Sequence, residues 1–364
     1  MKSQYAFILG RNPALSVAEI RAVLPGAKVV VQTSSFLILQ TDDTLDGPAF
    51  LDRLGGTIKV GTVIGEKVDP QVIVDALKAN AQPGKLRFGI SFYECPATKL
   101  GMAVKQQLKE AGISSRLVTS RDKALSSVVV TKNKVTEFLV LENKWLAKTE
   151  AVQAFEDYSR RDYGRPVRDT KSGTLPPKLA QIMINLAQQP AAATILDPFC
   201  GSGTIIQEAL LLGYANIIAS DQSAKAVADT KQNLEWLGQK WQTANGKLFQ
   251  CDVRGLGNKV KDVDAVITEP YLGPALRGHE TRQQISRTVT ELEQLYIAAF
   301  ETFAKVVRPG GRVVIVFPFF KTFDLKLNIA AQIKKLGFAQ LDRGDLIYSR
   351  PDQHVWRQVC IFSR

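Results

Sequence analysis

Histidine, cysteine and long apolar runs are scarce in this chain of 364 residues. It has two histidines and four cysteines, and no two cysteines show the CxxC spacing of a zinc site. No segment approaches the roughly 18 consecutive apolar residues that span a membrane, and the opening residues lack the apolar run of a signal peptide. The sequence therefore predicts a cytoplasmic protein with free thiols, without a metal site and without a membrane partner.

Acidic residues are also too few to balance the basic ones. The chain has 47 Lys and Arg against 35 Asp and Glu, a net charge of +12. Eight basic and two acidic residues lie between Lys99 and Lys134, so this short segment carries half of the excess. Such a concentration favours a surface that follows the phosphates of a nucleic acid, although a solvated basic surface is the alternative. The RNA-binding candidates are Lys99, Lys105, Arg116, Arg121, Lys123 and Lys132.

The first half of the chain reads as short strands and helices. Ser16 is predicted to begin a helix, because Glu19 three positions later completes a capping box. Alternation and β-branched residues predict the strands, and apolar residues at helical spacing predict a further helix. The predicted strands cover residues 5–10, 28–40, 86–94, 128–131 and 136–142, and the further helix covers residues 100–112.

The second half alternates regularly between strand and helix. The predicted strands cover residues 194–199, 217–221, 248–252, 264–270 and 312–318, and the predicted helices cover 176–187, 204–212, 223–237 and 287–307. The sequence RPGG at 308–311 is predicted to be a turn, and LIYS and QVCIFS are predicted to form a closing hairpin. This pattern indicates an α/β fold with a mostly parallel sheet and helices on both faces.

One acidic residue stands at the end of each of the first four strands of this half. They are Asp197, Asp221, Asp252 and Glu269. In such sheets a ligand binds beyond the carboxyl ends of the strands. A dinucleotide needs GxGxxG for its pyrophosphate, but Ile206 stands where the third glycine would be. S-adenosylmethionine carries an ammonium, a sulfonium and a ribose diol, which suit carboxylates, so the acids favour this cofactor over a nicotinamide dinucleotide.

Each cofactor-binding residue has an expected role. Asp197 is expected to face the methionine ammonium, Asp221 to accept from the ribose hydroxyls, and Asp252 to accept from the adenine amino group. Gly201 and Gly203 are expected to let the backbone approach the cofactor without a Cβ. Pro198 and Thr204 complete the set within the run DPFCGSGT.

Several motifs resemble those of known amino methyltransferases. DPFCGSGT, SDQSAKAV and TEPYLGP are similar to class I S-adenosylmethionine-dependent enzymes. The segments at 161–187 and 7–20 resemble the tRNA guanine-N2 methyltransferases that carry a THUMP RNA-binding domain and modify guanosine ten. The resemblance is tight from Arg161 to Asp221 and loose before that. It implies a seven-stranded, mostly parallel, Rossmann-like domain behind an α+β THUMP-containing region, with tRNA as the partner.

The resemblance also implies a division of the chain. We expect a small α/β subdomain over 1–55, a THUMP-like RNA-binding domain over 56–150, a linker over 151–172 and the methyltransferase domain over 173–364.

The catalytic candidates are Glu269, Pro270 and Tyr271. The family usually has Asp/Asn-Pro-Pro-aromatic here, whereas this chain has Glu269-Pro270-Tyr271-Leu272. In one alignment Leu272 replaces the aromatic residue. In the other, which we favour, one proline is deleted and Tyr271 is the ring that stacks on the base. Two alternatives stay open at this point, an adenine-N6 methyltransferase and an RNA-binding protein whose catalytic half has decayed.

Overall fold

The computed structural model describes residues 2–79, 84–168, 173–238, 245–350 and 353–364. It divides into two compact units, the first formed by Met1–Pro13 and Leu24–Phe155 and the second by Ala14–Val23 and Glu156–Arg364. Helix α1 (Pro13–Val23) therefore belongs almost wholly to the second unit, although the chain returns to the first unit after it. The finer division at residues 55/56 remains a prediction, and residues 169–172 of the predicted linker lie outside the described residues.

The first unit contains one eight-stranded sheet with the order β2-β3-β1-β4-β8-β7-β5-β6. Its strands are β1 (Ser3–Leu9), β2 (Lys28–Gln32), β3 (Phe36–Thr41), β4 (Thr57–Gly65), β5 (Leu86–Tyr93), β6 (Ser115–Val118), β7 (Thr136–Leu141) and β8 (Trp145–Val152). Its helices are α2 (Gly47–Asp52), α3 (Pro70–Ala79), α4 (Leu100–Glu110) and α5 (Ser127–Lys132). Strand β5 is parallel to both β6 and β7, and β6 is one edge of the sheet.

Three predictions for the first half are wrong. Helix α1 begins at Pro13, and Ser16 lies inside it with a buried side chain, so Ser16 is not its N-cap. The predicted strand over 28–40 is two antiparallel strands, because the chain turns back between Gln32 and Phe36. The predicted strand over 128–131 is helix α5, where the Ser126 side chain accepts from the N–H of Val129.

The second unit contains a nine-stranded sheet whose main path has seven strands, in the order β11-β10-β9-β12-β13-β17-β15. Its strands are β9 (Thr194–Asp197), β10 (Asn216–Asp221), β11 (Lys247–Gln250), β12 (Val263–Thr268), β13 (Val307–Phe320), β14 (Leu325–Lys326), β15 (Ala339–Gln340), β16 (Ile347–Tyr348) and β17 (Val355–Ser363). Strands β9 to β13 pair in parallel, and β17 is antiparallel to both β13 and β16. The predicted fold class and the closing hairpin are confirmed. The predicted turn at 308–311 is instead part of β13.

Helices cover both faces of this sheet. They are α6 (Phe155–Tyr163), α7 (Pro177–Leu186), α8 (Thr204–Leu211), α9 (Ala224–Leu237), α10 (Arg282–Val306) and α11 (Ala330–Lys335). Neighbouring residues of a strand join different apolar clusters. Ile195 packs with α7 and α8, whereas Leu196 packs with α10. Since successive strand side chains point to opposite faces, the sheet is buried on both sides and its strand ends are left to form a site.

Candidate active site

Asp197 is the last residue of β9, an inner strand, and is buried at the carboxyl end of the sheet. It is 3% exposed. Its Oδ1 accepts from the Thr268 hydroxyl at 2.7 Å and from the N–H of Phe199 at 3.2 Å. Thr268 is the last residue of the neighbouring strand β12. Burial raises the pKa of Asp197 to about 7; the two hydrogen bonds oppose the shift and the nearby charges of Asp221 and Glu269 add to it. The carboxyl is therefore poised to become anionic near neutral pH and to favour a cationic ligand.

Asp221 ends β10, the strand beside β9, and is bound by two backbone N–H groups. Its Oδ2 accepts from Gly201 at 3.0 Å, and its Oδ1 accepts from Ser223 at 2.9 Å. One bond fixes the carboxylate to the glycine-rich turn and the other to the start of α9. Each carboxylate oxygen keeps a further lone pair, so the side chain can still accept from a hydroxyl.

The two glycines of the turn have different surroundings. Both have positive φ, +53° at Gly201 and +82° at Gly203. A Cβ at Gly201 would meet no atom within 4 Å, so open space lies next to this residue. A Cβ at Gly203 would lie 2.8 Å from Cγ2 of Thr230 on α9. The missing Cβ of Gly203 makes room for α9, whereas Gly201 borders the space that a ligand could occupy. The expectation that both glycines let the backbone approach the cofactor remains a prediction.

Thr204, the first residue of α8, does not present its hydroxyl to that space. The residue is 5% exposed, and its Oγ1 accepts from Arg165 Nη1 at 2.7 Å. Pro198 is also buried, directly after Asp197. These two members of the predicted set shape the turn from within.

Asp252 follows β11 at the far side of the same edge. Its Oδ1 accepts from the N–H of Arg254 at 2.8 Å, where it begins a 3-10 helix over Val253–Asn258. Its Oδ2 lies 3.2 Å from Arg254 Nη1, and its side chain is 42% exposed. Asp221 and Asp197 thus end the neighbouring strands β10 and β9, and Asp252 follows β11 beside them, so the predicted row of acids lies at the carboxyl ends of adjacent strands.

Glu269 follows β12 and forms a nearly buried ion pair. Its Oε1 lies 2.5 Å from Arg357 Nε and its Oε2 lies 3.4 Å from Arg357 Nη2. The side chains are 13% and 8% exposed. Arg357 lies on β17, next to β13, so a residue from the antiparallel strand orients the acid at the end of β12. Arg357 is not among the residues predicted from the sequence. The available signal was a single arginine between two apolar residues, Val355 and Trp356, and the run QVCIFS that follows it.

Tyr271 and Leu272 differ in their surroundings. Tyr271 is 49% exposed, while Leu272 is partly buried against the apolar cluster of α7 and α8. Pro270 between Glu269 and Tyr271 is buried. Only the ring of Tyr271 is thus available for stacking, which favours the alignment in which Tyr271 takes the aromatic position.

A family model described as UPF0020, an RMKL-like methyltransferase domain, matches residues 165–344. These residues are therefore similar to the methyltransferase domain of that family. The match covers the glycine-rich turn, all four strand-end acids and Tyr271, and it begins inside the predicted linker.

Two curated relatives extend the comparison. The tRNA (guanine(10)-N2)-dimethyltransferase of Pyrococcus abyssi is 24% identical over 375 residues, covering 99% of each chain. The protein of the same name from Methanothermobacter thermautotrophicus is 30% identical over 163 residues, which is 45% of this chain and 44% of that one. The segment matched to the second relative thus spans less than half of its length. The predicted resemblance is confirmed.

A solved structure agrees with the fold. The crystal structure of TrmN from Thermus thermophilus matches with a TM-score of 0.56 and 18% identity, covering 100% of both chains. Together with the methyltransferase family, this fold makes S-adenosylmethionine the cofactor. The residues present fit it, because Gly201 borders open space and donates its N–H to Asp221, whose carboxylate suits the hydroxyls of the cofactor.

The basic candidates all lie in the first unit. Lys99 precedes α4, Lys105 is on α4, Arg116 is on the edge strand β6, Arg121 and Lys123 lie between β6 and α5, and Lys132 ends α5. All six side chains are exposed. They gather at the β6 edge of the sheet and its adjoining helices, and the opposite edge is β2.

Proposed function

We propose that this chain transfers a methyl group from S-adenosylmethionine to the exocyclic N2 of a guanosine in tRNA, at the position-10 type of site. The observation that carries the proposal is the placement of Glu269, Pro270 and Tyr271 directly after β12, where Thr268 binds the buried Asp197 of the glycine-rich turn. An acid, a backbone carbonyl and an exposed ring are thereby held at the carboxyl ends of the strands, where the acids that are proposed to bind the cofactor also lie.

These residues suit an amino group of a base. Such an amine is a poor nucleophile, because its lone pair is delocalised into the ring. Glu269 Oε and the backbone carbonyl of Pro270 can accept its N–H bonds, and the Tyr271 ring can stack on the base. Arg357 orients Glu269 as an acceptor. When bound, the cofactor supplies an electrophilic methyl group on sulfur.

The proposal extends to the partner and the compartment. Relatives that match nearly the whole chain and relatives that match less than half of it both have names that specify tRNA guanine-N2 modification. The net charge of +12 also suits a polyanion. Within the described ranges, no helix combines the length and apolar character needed to cross a bilayer. We propose that the protein acts on tRNA in the cytoplasm, with the basic residues at the β6 edge contacting phosphates.

The deciding experiment uses the full chain, labelled S-adenosylmethionine and unmodified tRNA transcripts, followed by digestion to nucleosides. The expected product is N2-methylated guanosine that disappears when guanosine 10 of the transcript is replaced by adenosine. A transcript with guanosine 6 replaced serves as the matched control, since other relatives are named for that position.

Other outcomes identify the alternatives. N6-methyladenosine without methylguanosine would replace the base assignment. Loss of product only with the position 6 variant would move the site of modification. Cofactor binding by calorimetry with no product on any transcript would favour a decayed enzyme that binds RNA.

A further inference from the structure

A fully buried ion pair lies inside the sheet of the first unit. Lys59 of β4 and Glu137 of β7 are each 1% exposed, and Lys59 Nζ lies 2.5 Å from Glu137 Oε1. The same oxygen accepts from the hydroxyl of Ser91 on β5, which is also fully buried. Apolar side chains of similar volume are often at least as stabilising as a buried ion pair, so stability alone does not account for these charges.

The buried cluster of Lys59, Ser91 and Glu137 holds Leu125 by both of its backbone polar groups. Lys59 Nζ donates to the Leu125 carbonyl at 2.7 Å, and the Leu125 N–H donates to Ser91 Oγ at 2.8 Å. A Cβ added at Gly89 would lie 2.4 Å from the Leu125 Cδ1, so the leucine side chain packs where β5 has no side chain of its own. Leu125 is therefore fixed to β5 by its backbone and by its side chain.

The segment that contains Leu125, between β6 and α5, also carries two of the exposed basic residues. Arg121 and Lys123 precede Leu125 in this segment. The carbonyl of Lys123 accepts from the N–H of Phe92 at 3.0 Å, beyond the last residue at which β5 pairs with β6. This bond and the buried cluster together tie the segment to β5, while its two basic side chains stay at the surface.

A segment that is already fixed loses less conformational entropy when it binds a partner, which favours affinity. We propose that the buried cluster is a positioning element for RNA binding. It holds Leu125 so that Arg121 and Lys123 are presented to RNA phosphates in a fixed arrangement. This inference rests on the proposed tRNA partner and adds the buried residues that act through the surface ones.

The first test measures whether the cluster holds the segment. Ser91→Ala removes the acceptor of the Leu125 N–H and leaves both buried charges in place. Thr149→Val is the matched control, because the Thr149 hydroxyl donates from β8 to the other oxygen of the same carboxylate, at 2.9 Å, whereas Ser91 binds the segment itself. Trypsin cleavage after Arg121 and Lys123 requires local opening. Ser91→Ala should accelerate it about fivefold or more, and Thr149→Val less than about twofold, as mass spectrometry of the fragments will show.

The second test measures tRNA affinity of the full chain by fluorescence anisotropy. Ser91→Ala should weaken binding about three- to tenfold, and Thr149→Val by less than about 1.5-fold. In a protein that already carries Arg121→Gln and Lys123→Gln, Ser91→Ala should change affinity by less than about 1.5-fold, because the side chains that it positions are gone. General loss of stability would instead weaken binding equally in both backgrounds.

Contrary results have distinct meanings. Unchanged tryptic cleavage in Ser91→Ala, unchanged tRNA affinity, or equal weakening in both backgrounds would each overturn the inference. If Ser91→Ala unfolds, the double variant Lys59→Met, Glu137→Gln removes the donor to the Leu125 carbonyl without leaving a buried charge, and the same expectations apply to it. Unaltered protein that does not bind tRNA would refute the proposed function itself, whatever the digestion shows.

Discussion

Arg357 contacts both carboxylate oxygens of Glu269, and so a residue of β17 orients the acid that follows β12. The pair is nearly buried, which makes each partner costly to remove alone. It also explains how glutamate can stand where related enzymes usually have a shorter acid or amide, because the longer side chain reaches a fixed guanidinium.

Removing Arg357 should therefore destabilise the protein through the charge left behind. We expect Arg357→Met to lower the free energy of unfolding by about 3 kcal/mol, and the added change Glu269→Gln to recover part of that loss. Urea denaturation of the single and double variants measures both effects. A double variant no more stable than Arg357→Met would contradict the ion-pair explanation.

Tyr271 should act on turnover and not on cofactor affinity. Its ring is half exposed, so Tyr271→Ala removes little packing. Loss of base stacking should lower kcat/KM for tRNA by about 10- to 100-fold, and Tyr271→Phe should retain most activity because the ring remains. Calorimetry with S-adenosylhomocysteine should show unchanged affinity in both variants. Full turnover in Tyr271→Ala would support the alignment that places Leu272 in the aromatic position.

Asp197 should give cofactor binding a pH dependence near neutrality. Because its pKa is raised to about 7 by burial, the ionised form that binds an ammonium grows as the pH rises, and affinity for S-adenosylhomocysteine should increase about tenfold from about pH 6 to about pH 8. Asp197→Asn, which keeps an acceptor for Thr268, should bind more weakly and lose this dependence. An unchanged pH profile in the variant would exclude Asp197 as its source.

The same raised pKa should affect folding with the opposite sign. A carboxyl that prefers to be neutral in the folded state stabilises fully below its unfolded pKa, and this contribution is lost as the pH rises towards the folded pKa of about 7. Above about pH 4, Asp197→Asn should therefore lose less stability with rising pH than the unaltered protein. Parallel melting curves across this range would contradict the expectation.

The two glycines of the turn should separate stability from binding. Gly203→Ala places a Cβ against Thr230 in a left-handed backbone conformation and should cost about 2 kcal/mol or more of stability. Adding Thr230→Ser removes the nearest atom, Cγ2, and should restore part of it. Gly201→Ala should be milder for stability but should weaken cofactor binding, since its Cβ points into open space. Thermal melts with and without S-adenosylhomocysteine distinguish the two effects.

The β6 edge should contribute electrostatically to RNA affinity. Lys123→Gln and Arg121→Gln should each weaken tRNA binding and reduce the salt slope by about 1, because one phosphate fewer is neutralised by the protein. Lys28→Gln is the matched control, because Lys28 is exposed on β2 at the opposite edge of the same sheet. Binding measured over a salt series should distinguish them; equal slopes in all three variants would remove this edge from the proposed interface.

The order of elements in the second unit was predictable because its strands are buried on both faces. Short apolar runs such as residues 265–267 of β12 end at polar residues, which indicates both the strand and its end. The position of Asp197 and Asp221 together at the carboxyl ends of parallel strands was predictable for the same reason. Helix α5 was not predictable in this way, because three consecutive valines favour a strand locally while the cap at Ser126 and the burial of Val130 decide for helix.

The partners of the site residues were beyond the reach of sequence patterns. The pairing of Glu269 with Arg357 joins residues 88 positions apart, and the bond of Thr204 to Arg165 joins residues 39 apart. Periodicity and turn signals describe local preference and contain no information on such distant contacts. The second role of Gly203 was hidden for the same reason, since Thr230 reaches it from another helix.

The placement of helix α1 in the second unit limits where two related sequences can be joined to make a chimaera. Leu15 of this helix belongs to the apolar cluster of α7 and α8, and its Glu19 accepts from Asn185 Nδ2 at 2.8 Å. A single crossover point near residue 156 would transfer the catalytic sheet but leave this helix with the other parent. Chimaeras between this chain and its relatives would therefore keep a complete second unit only with two junctions or with matched helices from both parents.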